Sequence, residues 1–175
     1  MSQPNPQHHS PSLHEALSRA GVATAHLDRG DEVELFRLQI AGGAFAVESG
    51  LVEEVVRTPH ITPLPGAPAF LVGVAAHRGD VLAVVDLARL LGRGDTQLSG
   101  RSRMAVARVE GLMVGILADA ILGLARFGAK SLQPAPLGAE GSEFISGIVF
   151  GEQSLNILDL RRALSAARER ATARK

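Results

Sequence analysis

The feature that most constrains the fold of this chain is an internal repeat. The segment FLVGVAAHRGDVLAVVDLARLLG (70–92) has a second copy near the C-terminus, EFISGIVFGEQSLNILDLRRAL (143–164). The residues that the copies share are Phe70, Gly73, Leu82, Asp86, Leu87, Arg89 and Leu91, which correspond in that order to Phe144, Gly147, Leu155, Asp159, Leu160, Arg162 and Leu164. Upstream of these segments, the corresponding pairs are Gly42 with Gly111, Val47 with Ile116, and Arg57 with Arg126.

The repeat predicts the same order of elements twice: a strand pair, a connecting segment, a second strand pair and a helix that begins at Asp-Leu. The repeated unit is longer than the roughly 20–45 residues of a solenoid unit, so we expect two similar small subdomains packed together rather than a solenoid. The subdomains would span about residues 35–92 and 102–160, within one domain of residues 31–165.

The composition argues against several classes of partner. The 175 residues include 18 basic and 18 acidic side chains, so the formal net charge is +0 and supplies no long-range attraction to nucleic acid. Six Phe are present without Tyr or Trp, which is a poor set for stacking bases. The chain has no cysteine and therefore no disulfide or thiolate metal site. We predict no nucleic-acid partner.

No segment of the sequence has the pattern of a signal peptide or a membrane span. The N-terminus MSQPNPQHHSPS has neither a cationic start nor an apolar core. The most apolar run, Gly111–Ala118, is flanked by Glu110 and Asp119 and is far shorter than the roughly 20 residues of a spanning helix. The sequence therefore predicts a cytoplasmic protein without direct membrane insertion.

Local patterns in the first third of the chain predict a tail, a hairpin and a connector. Residues 1–30 are expected to be a flexible tail with one short helix, beginning at the capping box Ser12–Glu15. From Leu35, apolar and polar residues alternate on both sides of a Gly-Gly pair, which predicts a β-hairpin. Thr58–Pro68 contains four prolines and is predicted to be an extended connector rather than a central strand.

Each copy of the repeat predicts a second hairpin followed by a helix. In the first copy, the apolar runs Phe70–Ala75 and Val81–Val85 flank a Gly-containing turn. Asp86 is predicted to be the N-cap of a helix over Leu87–Leu91, so Asp86→Ala would cost about 1 kcal/mol of stability as a lost cap. Asp159 is predicted to cap the C-terminal helix in the same way. Residues 166–175 would form its helical or frayed basic end.

Five segments, in order and at similar spacing, resemble the CheW-like coupling proteins of bacterial chemosensory arrays. They are FAVESGLVEEV (45–55), ITPLPGAPAF (61–70), GVAAHRGDVLAVVDL (73–87), VGILAD (114–119) and FISGI (144–148). The resemblance implies an all-β fold of two five-stranded SH3-like barrels with short helices, a C-terminal helix and no catalytic activity. It also implies an adaptor that links chemoreceptor hairpin tips to the regulatory domain of a CheA-type histidine kinase.

The resemblance also implies which residues bind the receptor. They are Val52 and Glu54, after the first hairpin, and Arg78 and Gly79, at the turn of the second. An arginine on a tight turn presents a planar set of donors to carboxylates or carbonyls of a partner helix, and Val52 would meet the apolar side of that helix. The alternative is that Glu54 and Arg78 are ordinary surface residues. No kinase-binding residue is assigned.

The turn departs from the pattern of the family, which often has Asn-Leu-Arg-Gly. Here Ala76 and His77 precede Arg78 and Gly79. Ala76 lacks the hydrogen-bonding groups of an asparagine side chain, and His77 replaces an apolar side chain with a polar one. Such a change would fit a member specialised for a different receptor, or one that has lost one of its two partners.

Other side-chain groups give no indication of catalysis. His8, His9 and His14 belong to the predicted tail, where the fixed geometry of a metal site is not expected. Asp80 and Asp86 are accounted for as a turn residue and a helix cap rather than an acid–base pair. The Gly-x-Ser-x-Gly motif does not occur, and the glycine-rich segments lack the lysine of a phosphate loop. We predict no cofactor, no metal and no enzymatic activity.

Two other functions stay open at this point. An accessory CheW-like protein would bind a receptor but not the kinase, and binding to the purified kinase distinguishes it from a coupling protein. A small barrel that binds a ligand or metal is the second alternative, which a thermal-shift screen tests.

Overall fold

The computed structural model describes residues 32–135, 138, 141–151 and 153–173. These residues form two sheets and two α-helices. The strands are β1 (Glu32–Ile40), β2 (Gly43–Glu48), β3 (Val52–Arg57), β4 (Leu71–His77), β5 (Asp80–Val85), β6 (Arg103–Val109), β7 (Leu112–Ala118), β8 (Ala120–Gly128), β9 (Leu132–Pro134), β10 (Ile145–Val149) and β11 (Leu155–Leu158). The helices are α1 (Leu87–Leu90) and α2 (Leu160–Thr172).

The two sheets exchange hairpins between the copies of the repeat. Sheet I has the strand order β8-β1-β2-β11-β10-β9, and sheet II has the order β3-β6-β7-β5-β4. Hairpin β1–β2, from the first copy, therefore lies among strands of the second copy, and hairpin β6–β7 lies among strands of the first. The all-β prediction is confirmed, although sheet I has six strands rather than five because of the short β9.

This exchange differs from the predicted division into sequential subdomains, 35–92 and 102–160. The two parallel pairs, β2 with β11 and β5 with β7, each join one copy of the repeat to the other. An isolated hairpin would leave both of its edges unpaired, whereas the exchange pairs both edges of each exchanged hairpin with strands of the other copy. The repeat is thus a unit of sequence, and each sheet is built from both copies.

As predicted, the connector between β3 and β4 is not a central strand, but it is less extended than predicted. Two turns interrupt it, closed by hydrogen bonds from the Ala67 N–H to the Leu64 carbonyl (3.2 Å) and from the Leu71 N–H to the Pro68 carbonyl (2.9 Å). Thr62 makes an isolated antiparallel bridge with Val74 of β4. Gly73, beside this bridge, allows the close approach, because a Cβ at Gly73 would overlap the backbone carbonyl of Thr62. In sheet I the corresponding position is taken by β9, which pairs with β10.

Three apolar clusters stabilise this arrangement. The largest lies between the sheets and includes Phe36, Leu38 and Phe45 of sheet I, Val85, Ala105 and Ile116 of sheet II, and Leu87 and Leu160 of the helices. A second cluster fills sheet II with Leu82, Val84, Met104 and Leu117, and a third fills sheet I with Leu35, Ala46, Leu155 and Ile157. Complete burial of a large apolar side chain contributes about 1.5–3 kcal/mol, so the shared cluster couples the stability of the two sheets.

Both predicted helix caps are present. The Asp86 carboxylate accepts a hydrogen bond from the N–H of Ala88 at the start of α1, and the Asp159 carboxylate accepts one from the N–H of Arg162 in α2. No helix of the described segments is both long and apolar enough to span a membrane. The predicted tail over 1–30, its helix at Ser12–Glu15, and His8, His9 and His14 lie outside the described residues.

Candidate functional site

The predicted receptor-binding turn is the two-residue loop between β4 and β5. His77 and Asp80 form the last pair of the β4–β5 ladder, and Arg78 and Gly79 between them have φ values of 49° and 90°. Two successive positive φ values correspond to a type I′ turn, which matches the twist of the flanking strands. Ala41 and Glu110 have the same sign of φ at the other two tight hairpins, so the conformation of Arg78 is a property of the turn type.

A β-bulge places two adjacent glutamates beside different arginines. The register between β3 and β6 shifts between Val52 and Glu54, so Glu53 is the extra residue. Such bulges re-aim side chains at the edge of a sheet. Glu53 forms an ion pair with Arg108 of β6. The next residue, Glu54, extends instead toward the β4–β5 turn.

The Glu54 carboxylate joins the two edges of sheet II. Its Oε1 lies 2.6 Å from Nε2 of His77, and its Oε2 accepts a hydrogen bond of 2.8 Å from Nη2 of Arg78. Since β3 and β4 are the opposite edges of this sheet, the contact requires the sheet to curve until the edges meet. Glu54 therefore closes sheet II at the base of the predicted receptor-binding turn.

Electrostatics shift the pKa of one group in each ion pair, Glu54 and Arg108. Burial of the Glu54 carboxyl raises its pKa, but the hydrogen bond from His77 and the charge of Arg78 oppose this and hold the pKa below the ordinary value of 4.5. Because Glu54 is a carboxylate, Nε2 of His77 must carry the hydrogen in their contact. The hydrogen bond and charge of Glu53, aided by the charge of Asp80, raise the pKa of Arg108 above its ordinary value.

The structure brings three of the four predicted site residues together. Glu54, Arg78 and Gly79 meet at the turn, and the Arg78 side chain is 75% exposed while ion-paired. Val52 is only half-buried, but its side chain packs against the cluster between the sheets. Its part in a surface contact is therefore smaller than that of the turn.

Two exposed apolar residues beside the turn were not predicted. Val81 is 72% exposed and Leu112 is 53% exposed. Ala83 lies opposite Val114 in the parallel β5–β7 pair, so Val81 and Leu112, each two residues earlier, are neighbours. Val81 follows Asp80 at the end of the β4–β5 turn, and Leu112 directly follows the β6–β7 turn. Each is the first apolar residue after its turn. That position was the available sequence signal.

The buried carboxylate of Asp86 is engaged in hydrogen bonds with the backbone and with Thr96. Among the described residues, no three His, Asp or Glu side chains are grouped as metal ligands. The predicted cap Asp86 is 2% exposed and, besides α1, binds the N–H of Thr96 at 3.1 Å and the Thr96 hydroxyl at 2.7 Å. This carboxylate stabilises the segment that joins the repeat copies. The exposed donor group at the turn is Arg78.

Several known proteins of similar sequence are named chemotaxis proteins. The family model described as the CheW-like domain matches residues 34–168. Protein FrzA of Myxococcus xanthus is 37% identical over 147 residues, which are 82% of this chain and 92% of FrzA. Chemotaxis protein CheW of Rhizobium meliloti (strain 1021) is 33% identical over 114 residues, which are 65% of this chain and 73% of that protein.

A solved structure has the same fold. The crystal structure of the scaffolding protein TtCheW from Thermoanaerobacter tengcongensis matches with a TM-score of 0.70 and 24% identity, covering 79% of this chain and 91% of that one. The segment matched by the family model includes both sheets, apart from the first two residues of β1, and all four predicted site residues. The chain belongs to the CheW-like domain family.

Proposed function

We propose that this chain is a non-enzymatic adaptor that couples chemoreceptors to a CheA-type histidine kinase. The turn formed by Arg78 and Gly79 binds the receptor, together with Glu54 and Val52. Membership of the CheW-like family supports the role, as do relatives that are named chemotaxis proteins. The single observation that carries the site is an arginine that is exposed on a tight turn and held by Glu54.

The chemistry of the turn suits a helical receptor tip. Arg78 uses one N–H toward Glu54, so its other N–H groups remain to donate to carboxylates or carbonyls of a partner. Val81 and Leu112 add an apolar area next to these donors. A central apolar contact beside a charged donor is typical of protein interfaces.

The kinase contact belongs to a different surface in this proposal. Coupling requires both partners at once, so the kinase must leave the Arg78 turn accessible. Leu124 of β8 is 58% exposed, and Phe150, which follows β10, is 66% exposed. Aromatic side chains such as Phe150 are enriched at protein interfaces. We expect a transient interface of about 600–1,000 Å² per partner.

Calorimetric titration against two purified fragments tests the proposal. One fragment is a chemoreceptor hairpin tip, and the other is the regulatory domain of the kinase from the same organism. Binding to both supports the coupling role. Binding to the receptor alone identifies an accessory CheW-like protein, and binding to neither contradicts the proposal.

A further inference from the structure

We propose that His77 is a positioning residue for receptor binding: it holds the Glu54 carboxylate where that carboxylate orients the Arg78 guanidinium. The inference rests on the proposed function and deepens it. It assigns a role to a position at which this chain departs from the usual Asn-Leu-Arg-Gly turn.

The two residues that contact the Glu54 carboxylate, His77 and Arg78, differ in how far their side chains are exposed. The His77 side chain is 9% exposed, whereas the Arg78 side chain is 75% exposed. The Glu54 side chain, 24% exposed, lies between them and gives one oxygen to each. A buried donor and an exposed donor are therefore joined through one carboxylate.

The buried donor gives the ion pair its fixed geometry. An exposed pair between Glu and Arg contributes little by itself, because both side chains lose rotamer freedom and water screens the charges. Glu54 bonded to His77 has already lost that freedom, since the ring is enclosed at the sheet edge. Arg78 then binds a carboxylate in a fixed place, and its remaining donors point in a defined direction.

Other charged groups near the turn are engaged elsewhere. Asp80 lies opposite His77 in the ladder, but its charge acts on Arg108, which is also paired with Glu53. Within the described residues, the hydrogen-bonding partner of the His77 ring is Glu54. An apolar side chain at position 77 could fill the space but could not donate to Glu54.

Two substitutions separate the hydrogen bond from the space that the ring fills. His77→Leu removes the donor, whereas the amide of His77→Gln can still donate to the carboxylate. We expect His77→Leu to weaken binding of a purified receptor hairpin tip about tenfold, since a hydrogen bond to a charged group is lost. His77→Gln should recover most of this loss. Binding of the kinase regulatory domain should not change with either variant.

A measurement without any receptor distinguishes this inference from the proposed function. Nitrogen-15 relaxation of the Arg78 Nε–H group should show an ordered side chain in the wild type and in His77→Gln, and a mobile one in His77→Leu. The control is His60→Leu, since His60 is exposed in the connector. A wild type that binds no receptor would contradict the proposed function only. An Arg78 side chain equally ordered in wild type and His77→Leu, at equal thermal midpoints, would overturn the inference.

Discussion

The two Asp-Leu helix starts show how the copies of the repeat have diverged. Asp86 is 2% exposed and accepts hydrogen bonds from Ala88 and from both the N–H and the hydroxyl of Thr96. Asp159 is half-buried, and its hydrogen-bond donor among the described residues is the Arg162 N–H at 3.0 Å. In the first copy, the Asp-Leu signal therefore marks a helix cap that also anchors the segment joining the two copies. In the second copy, within the described residues, it marks a helix cap alone.

The hairpin ends diverge in chemistry in the same way. In the first copy Glu54 meets Arg78 at the turn. Since Arg57 corresponds to Arg126, the position that corresponds to Glu54 is Gly123, which has no carboxylate. The second hairpin end instead carries the exposed Phe150. A duplicated backbone thus presents an exposed arginine at one hairpin end and an exposed phenylalanine at the other, which suits an adaptor with two different partners.

Among the variants that test the difference between the two caps, Asp86→Ala should have the largest effect on stability. It removes the cap and leaves the donors of Thr96 buried and unpaired, so we expect a loss of about 3 kcal/mol in the free energy of unfolding. Asp159→Ala should cost about 1 kcal/mol as a lost cap. Urea denaturation of both variants measures the difference. Equal losses would show that the Thr96 contact adds nothing.

Alanine substitution of two corresponding glycines tests how closely a neighbouring segment packs against each sheet. A Cβ at Gly73 would overlap the backbone of Thr62, whereas a Cβ at Gly147 would lie 3.0 Å from the carbonyl oxygen of Gln133. We expect Gly73→Ala to cost about 2 kcal/mol through overpacking and Gly147→Ala about 1 kcal/mol. Thermal midpoints under one set of conditions provide the measurement. A larger loss at Gly147 would contradict the tighter approach at the connector.

Charge reversal at Arg78 tests whether the first hairpin end binds the receptor. Arg78→Glu should weaken receptor-tip binding by about 1.5 kcal/mol, which is roughly tenfold. Arg78→Asn keeps a residue that tolerates positive φ and removes only the guanidinium, so it should show a similar loss with an intact fold. Arg126→Glu breaks the exposed pair with Glu34 and is the matched control. Unchanged affinity in both Arg78 variants would remove the turn from the site.

The smallest expected effect is in the acid stability of sheet II. The pKa of Glu54 is lowered in the folded state, so its carboxylate stabilises the fold above the unfolded pKa, and this contribution is lost as the pH falls through the folded pKa. Glu54→Gln cannot ionise and should lose stability less steeply than the wild type below about pH 4.5. Thermal unfolding between pH 3 and 7 tests this, and parallel curves would count against it.

The sequence predicted the elements well because their signals are local. Alternation predicted the first hairpin, and apolar runs around a Gly-containing turn predicted the second. The four prolines excluded a central strand at Thr58–Pro68, and both Asp caps were assigned correctly. The exchange of hairpins between the sheets could not be read in this way. It depends on parallel pairs between strands far apart in sequence, for which neither alternation nor turn residues carry information.

The candidate site was predicted only in part, for a physical reason. The resemblance supplied Glu54 and Arg78, but not the bulge at Glu53 that re-aims the glutamate toward the turn. His77 was noted as a departure, yet its contact with Glu54 depends on the curvature that brings β3 to β4. Val81 and Leu112 became neighbours only through the parallel pairing of β5 with β7.

Assembly of three components tests the central claim most directly. The full chain, a receptor hairpin tip and the kinase regulatory domain are mixed and sedimented together. A coupling protein whose receptor site lies at the Arg78 turn should form a ternary complex, and Arg78→Glu should release the receptor fragment while the kinase domain stays bound. If the two fragments instead displace each other from the chain, they share one surface and the account is contradicted.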